Sequence, residues 1–561
     1  MDKLIDLIRQ LDTGDIALPI MQREYVWRPL KVERLLDSLY HGWPVGSFYL
    51  WRPGKKQPKK DHHLKKEVSG EPVRYLLDGQ QRLASLSRAI KDGGNDMLLP
   101  PPGRRESQAM SWRGFFDIVN ESFVLKGRKK SVERRIEAND PALLALSDVI
   151  QLDDHKGLRS MANISETVRR LVEAGYVADT DAAKDGVRIK LQRIKSMLDV
   201  DVLCHEIETS RLATTDSAEI EVAIEIFRRL NSGGTNLSGG DVTAAQLAQE
   251  TTSSILGPMR DFARGRVCVA LGLNFVFLTR ALATIRCSTA RFSKLPKYWA
   301  TGTPDIEESW EDTRKALGAA IELVQRMGWT SRRWLPSANA LLPVAYFAHL
   351  KGGHISNHDE PEVVRFLCLA AWVGAFSKAS ETAIDHYLRR LSKAGKSASA
   401  KILTDAIPRS RLSKVQPDEI LMESKMTGPL MQIYLAYLVA RSARSWPSGQ
   451  LLADASRIAD GTGSIDVHHI FPRKFVEHIE GDFDVNTMGN YAILAQPDNA
   501  SLADEDPKIA YGKLSVEQKR LAREQFVPFG DDEVLLPDAY EAFIKRRARD
   551  MSKALNGFLG L

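Results

Sequence analysis

The spacing of apolar and polar residues changes character along the chain. The opening stretch MDKLIDLIRQLDTG reads as an amphipathic helix with acidic residues, which sets it apart from a signal peptide. LPIMQREYVW (18–27) is a proline-led polar-aromatic loop, and KVERLLDSLYHG is a helix closed by Gly42. PVGSFYLW and VRYLL (73–77) are rich in β-formers. Between them runs a basic loop, GKKQPKKDHHLKK. A DGQQR turn then leads into LASLSRAI, where Leu83, Leu86 and Ile90 share one helical face. Residues 95–110 hold LPPPGRRES, a breaker-rich loop. From about residue 140 to 230 the spacing is mostly helical, with a short strand expected at DVDVLCHEI. FRRLNSGGTNLSGGD (227–241) is a Gly-rich loop between helices. Residues 241–445 keep an apolar period near 3.6, broken at GTPD and KGGHISNHDEPE, and SKAGKSASAK (392–401) suits an exposed turn or hinge.

Composition narrows the class without naming an activity. A chain of 561 residues predicts two to four domains. Hydrophobic residues at 43% and charged residues at 27% are ordinary for a globular protein. The net charge of +6 suits a nucleic-acid partner but does not require one. The four cysteines, Cys204, Cys268, Cys287 and Cys368, form no CxxC pair, which argues against a disulfide framework or zinc ribbon and for reduced thiols in a cytoplasm. No apolar run reaches the roughly 18 residues of a membrane span, so no membrane partner is expected.

The chemistry is densest in SIDVHHIFPRKF (464–475). The chain has 12 histidines, and His468 and His469 stand together at the end of an expected strand. Neighbouring strand residues point to opposite sides. One imidazole can then ligate a cation while the other faces a water as general base, a task that suits its ordinary pKa of about 6.5. Phosphodiester hydrolysis needs both, because the cation neutralises charge on the phosphate oxygens. Downstream, NTMGNYAILAQPDNA supplies Asn490 and Asn499, nine residues apart, with NYAIL as a strand and DNASLADEDP as a turn into a helix. Two partly buried histidines capping a strand is the bland alternative.

RYLLDGQQRLASL (74–86) is the second informative stretch. A helix opening at Gln80-Gln81-Arg82 presents free N–H groups and the positive end of its dipole, which suits a phosphate. Arg82 adds a bidentate donor, and Asp78 could hold Mg²⁺ or cap the helix. The spacing is not that of a Walker A loop. The basic runs at 55–66, 127–135 and 545–549 suit phosphate contact or simple solvation. His62-His63 lacks the strand and asparagines and is not read as catalytic. Trp27, Trp43 and Trp51 are expected in a core or pocket wall.

Two resemblances follow from these motifs. DVHHIFP, GNYAIL and DN together resemble an HNH nuclease, the ββα-metal finger. That resemblance implies His468 as metal ligand, His469 as general base, Asn490 as the loop brace and Asn499 as second metal ligand, with Arg473 and Lys474 against a DNA backbone. With two protein ligands, Mg²⁺ or Mn²⁺ is favoured over zinc. LPIMQREYVW, GWPVGSFYLW, DGQQR and FRRLNSGGTNLSGGD, in that order, resemble the N-terminal domain of GmrSD-type restriction endonucleases, a relative of the ParB/sulfiredoxin fold. This implies a nucleotide pocket of Gln22, Arg23, Asp78, Gly79, Gln80, Gln81 and Arg82, closed by Asn231, that binds and hydrolyses GTP or ATP.

The expected protein is thus α+β and multidomain: a nucleotide-binding, DNA-sensing domain (1–245), a helical coupling domain (246–444) and an HNH domain (445–561). The expected activity is nucleotide-regulated cleavage of foreign double-stranded DNA, modified DNA included, in antiphage defence. A homodimer is a further expectation. A nucleotide-dependent DNA-binding regulator with a non-cutting HNH fold is the chief rival, and a toxin-like non-specific nuclease the second.

Overall fold

A computed structural model describes residues 2–18, 27, 29–53, 74–90, 113–126, 130–150, 157–209, 222–223, 225–227, 229–230, 256–291, 306–377, 381–456, 465–476, 484–502, 506–527 and 539–561. The chain forms two compact units, Met1–Ser253 and Ser254–Leu561. Both helices and small sheets are present, so the protein is α+β.

In the first unit the elements run α1 (Leu4–Thr13), β1 (Ile16–Ala17), α2 (Pro29–Tyr40), β2 (Phe48–Arg52), β3 (Arg74–Asp78), α3 (Gln80–Ile90), β4 (Gly114–Asp117), β5 (Ser122–Leu125), α4 (Lys130–Glu137), β6 (Leu143–Ala145), α5 (Gly157–Glu173), α6 (Asp181–Ser196) and β7 (Cys204–Glu208). Four strands make one sheet in the order β1-β3-β2-β7, with β2 antiparallel to β3 and the other two pairings parallel. Alternation along β2 and β3 sends side chains to both faces. Phe48, Leu50 and Leu76 pack with Leu7, Leu36 and Leu83 on one side. Trp51, Tyr75 and Leu77 pack with Ala223 and Phe227 on the other. Phe227, the first residue of FRRLNSGG, thus packs on the sheet that carries the DGQQR turn. A second sheet, β5-β4-β6, is antiparallel throughout.

The second unit begins with helices: among them α7 (Phe275–Cys287), α8 (Ile306–Arg326), α9 (Leu341–Leu350), α10 (Glu360–Trp372), α11 (Glu381–Ala394), α12 (Pro417–Met422) and α13 (Pro429–Ala440). Helices α9 and α13 are apolar nearly all round and correspondingly buried. Then come β8 (Ile465–His469), β9 (Tyr491–Ala495), α14 (Gln496–Leu502), α15 (Pro507–Gly512), α16 (Val516–Arg523) and α17 (Tyr540–Leu559).

Three local readings change. Trp51 is fully buried, but Trp43 is 58% exposed. Gly42, at φ +71°, ends α2 and turns the chain outward, leaving Trp43 stacked on His41 with ring centres 5.1 Å apart. In the 392–401 segment Ala398 and Ala400 are buried, because small residues let the turn pack inward. In KRRAR, Lys545, Arg546 and Arg549 are exposed but Arg547 is wholly buried, since the helical period turns it to the core. All four cysteines are free. Among the described residues no helix is long and apolar enough to cross a membrane.

Candidate active site and the domain that accompanies it

Strands β8 and β9 pair antiparallel, with Ile465 opposite Ala495 and His469 opposite Tyr491. Helix α14 follows β9 directly and packs on both strands. The helix starts at Gln496, so DNASL lies within its turns rather than before them. The result is strand, loop, strand, helix, with the paired histidines at the strand end.

The structure brings His468 and Asn499 together. His468 is 7% exposed, and its Nδ1 lies 2.9 Å from Asn499 Oδ1. The amide is oriented by its other end, where Asn499 Nδ2 donates to Asp466 Oδ2 at 3.0 Å. His468 Nε2 lies 3.2 Å from the Tyr511 hydroxyl. Burial pushes the Tyr511 phenol above its ordinary pKa, so it stays neutral and can accept from the ring. The Trp446 indole closes the pocket edge-on, 6.2 Å from the imidazole centre.

His469 takes the other face of the strand. It is partly exposed, its Nε2 is 3.2 Å from Asn486 Oδ1, and its ring meets Tyr491 edge-on at 5.0 Å. With the hydrogen on Nε2, Nδ1 keeps a free lone pair. Asn490 is fully buried and ties the loop together. Its Oδ1 accepts from Phe471 N–H at 2.9 Å, and its Nδ2 donates to the carbonyls of Phe471 and Val485, each at 3.0 Å. Arg473 and Lys474 are exposed on the short helical turn after Pro472.

At the other motif, Asp78 ends β3 and α3 begins at Gln80. Gly79 sits at φ +101°, and a Cβ there would fall 2.4 Å from Phe48 Cδ1, so only glycine fits. Gln80 and Gln81 are buried, and Gln81 Oε1 accepts from Trp27 N–H at 3.3 Å. Arg82 faces inward. Its guanidinium donates to Val45 O at 2.6 Å, Ser47 O at 2.7 Å and Asp78 Oδ2 at 3.1 Å, and covers the Phe48 ring. Burial lowers its pKa, against the opposing pull of Asp78. Gln22, Arg23 and Asn231 lie outside the described residues.

Residues 4–248 match the family model of the GmrSD restriction endonuclease N-terminal domain. The N-terminal part of the chain, 245 of its 561 residues, is similar to that GmrSD domain. The match takes in all four motifs whole, LPIMQREYVW, GWPVGSFYLW, DGQQR and FRRLNSGGTNLSGGD. An uncharacterized protein of Methanocaldococcus jannaschii is 34% identical over 95 residues, a match that spans 16% of this chain and 16% of that protein.

The spacing of residues in the sequence did not mark Asp466, Asn486 or Tyr511 as members of the site. Asp466 was within reach of the strand period, which places residues 466 and 468 on one face. Asn486 and Tyr511 come from a loop and a later helix, and nothing in their spacing marks them. The His468–Asn499 pair fits a hard divalent cation. An imidazole nitrogen and an amide oxygen 2.9 Å apart are donors that could hold such an ion. The surrounding hydrogen bonds suit the same use, because Nε2–H can donate to Tyr511 while Nδ1 turns its lone pair to the ion. Among the described residues no group of three His, Cys, Asp or Glu side chains converges, so water would complete the shell.

Proposed function

We propose that this chain is a metal-dependent DNA endonuclease that cuts through the His468–His469–Asn499 cluster under the influence of a nucleotide held by the GmrSD-type unit. The 2.9 Å approach of His468 Nδ1 to Asn499 Oδ1, with His469 on the opposite strand face, is the observation that supports it most. On this reading His468 and Asn499 hold Mg²⁺ or Mn²⁺, and Asp466 and Tyr511 orient them. A divalent cation held there would supply charge neutralisation at the scissile phosphate and the departing oxygen. His469 takes a proton from the attacking water through Nδ1, while Asn486 fixes the ring at Nε2. Asn490 keeps the loop in register. Arg473 and Lys474 meet backbone phosphates, and their contribution weakens with salt.

The nucleotide part of the proposal places GTP or ATP against the N–H groups that open α3, with Asp78, Gly79, Gln80 and Gln81 around them. Arg82 then holds the 45–47 loop rather than the phosphate, because its donors are already engaged by Val45 and Ser47. Antiphage restriction of modified DNA is the biological setting proposed.

The test is digestion of plain and modified phage DNA by the full chain with Mg²⁺ or Mn²⁺, each with and without GTP and ATP. Metal-dependent cleavage that disappears in His469→Ala supports the endonuclease. No cleavage of any substrate overturns it in favour of a DNA-binding regulator, and equal rates with and without nucleotide overturn the regulation.

A further inference from the structure

The last helix reaches the candidate site through several side chains: Tyr540 donates to Asp484 O at 3.0 Å, Tyr540 and Phe543 pack edge-on against Phe471, and Arg547 enters the loop itself. Arg547 on α17 is 0% exposed and forms no ion pair among the described residues. A buried cation without a carboxylate is costly, so an apolar residue would be the cheaper occupant of a purely structural position. The guanidinium instead donates to three backbone carbonyls: Gly489 O, Tyr491 O at 2.9 Å and Gln525 O at 3.0 Å. Gly489 and Tyr491 flank Asn490, whose side chain braces Phe471 and Val485. The same loop carries Asn486, which meets His469 Nε2, and Tyr491, whose ring borders the His469 ring. Gln525 also binds the β9 backbone at Ile493 through both ends of its amide. One planar fork therefore spans the carbonyls that set the loop between the paired histidines and β9.

We propose that Arg547 is a positioning residue for the cleavage site: it fixes the 484–491 loop so that Asn486 and Tyr491 hold the His469 ring in the orientation of a general base. The activity part of this inference rests on the endonuclease reading; the loop-ordering part does not. Lysine keeps the charge but loses the fork, so Arg547→Lys is the informative change, with exposed Arg549→Lys as control on the same helix. Two quantities are measured on the full chain: hydrogen exchange of peptides spanning 465–476 and 484–491, and kcat and KM on plasmid DNA with Mn²⁺. Arg547→Lys is expected to exchange about tenfold faster in 484–491 while the rest of the unit stays protected. Its kcat should fall about 100-fold, as small misplacements of a reacting group do, with KM within about twofold. Mn²⁺ affinity, which depends on His468 and Asn499, should hold. Asn486→Ala, a surface change that leaves the core intact, should lower kcat about tenfold, and combined with Arg547→Lys should add little further loss. Unchanged loop exchange, unchanged kcat, or a kcat loss that only mirrors the unfolded fraction would overturn the proposal. If the wild-type chain cleaves no DNA, the endonuclease reading falls and loop exchange alone decides.

Discussion

Replacing Asn490 with alanine is the sharpest test of how the paired-histidine loop is held. The side chain makes three hydrogen bonds at 2.9–3.0 Å, the two to Phe471 shut away from water and the one to Val485 part-buried. Each contributes about 1 kcal/mol net, and a buried N–H left without an acceptor costs about 1–3 kcal/mol. Alanine removes all three bonds and leaves Phe471 N–H unsatisfied, so a loss of about 3–4 kcal/mol is expected, allowing for partial relaxation. Hydrogen exchange of the β8 and β9 amides across a urea series reads this locally, without assuming that both units unfold together. The isosteric Asn490→Asp separates shape from hydrogen bonding. Its Oδ1 still accepts from Phe471, but the second oxygen confronts two carbonyls in place of an N–H. A buried carboxyl in such a site titrates above its unfolded value of about 3.9. Its deficit relative to wild type should therefore grow as pH rises from 4 to 7. A loss below about 1 kcal/mol in Asn490→Ala, or no pH trend in Asn490→Asp, would refute the brace.

Three further outcomes are expected. His469→Ala should lower cleavage by about 10²–10⁴, the usual worth of a general base, while Mn²⁺ binding measured by calorimetry stays within about threefold of wild type. Gly79→Ala combines a left-handed backbone with a Cβ 2.4 Å from Phe48, and should cost about 2–4 kcal/mol, seen as early melting of the first unit alone. In that unit, burial alone would raise Asp117 and Asp140. The Arg135 guanidinium, helped by Asn120 and the Ala142 N–H, outweighs it and holds both carboxyls below their ordinary range. Their contribution is present above the unfolded value of about 3.9 and is lost as pH falls through the folded values. The stability gap between wild type and Arg135→Gln should thus be widest near neutrality and narrow below about pH 4, read from melting curves across pH.

Much of the candidate site was legible in the sequence because strand geometry is local. Adjacent histidines on a strand must face opposite ways, and that alone assigned different surroundings to His468 and His469. Gly79 and the helix start at Gln80 likewise follow from turn and cap chemistry over a few residues. The apolar period of residues 241–445 predicted helices for the same reason, and the described residues of that stretch are mostly helical. Tertiary structure decided what no spacing records. It chose Asp466, Asn486 and Tyr511 as the partners of the site. It turned Arg82 inward, onto the carbonyls of Val45 and Ser47. It buried Arg547 within a run that reads as surface, and left Trp43 in solvent where an aromatic residue suggests a core. Hydrogen-bond and steric rules act over three or four residues and are written in the chain. Which distant carbonyl or ring meets a given side chain depends on how the elements pack, and packing joins residues tens to hundreds of positions apart.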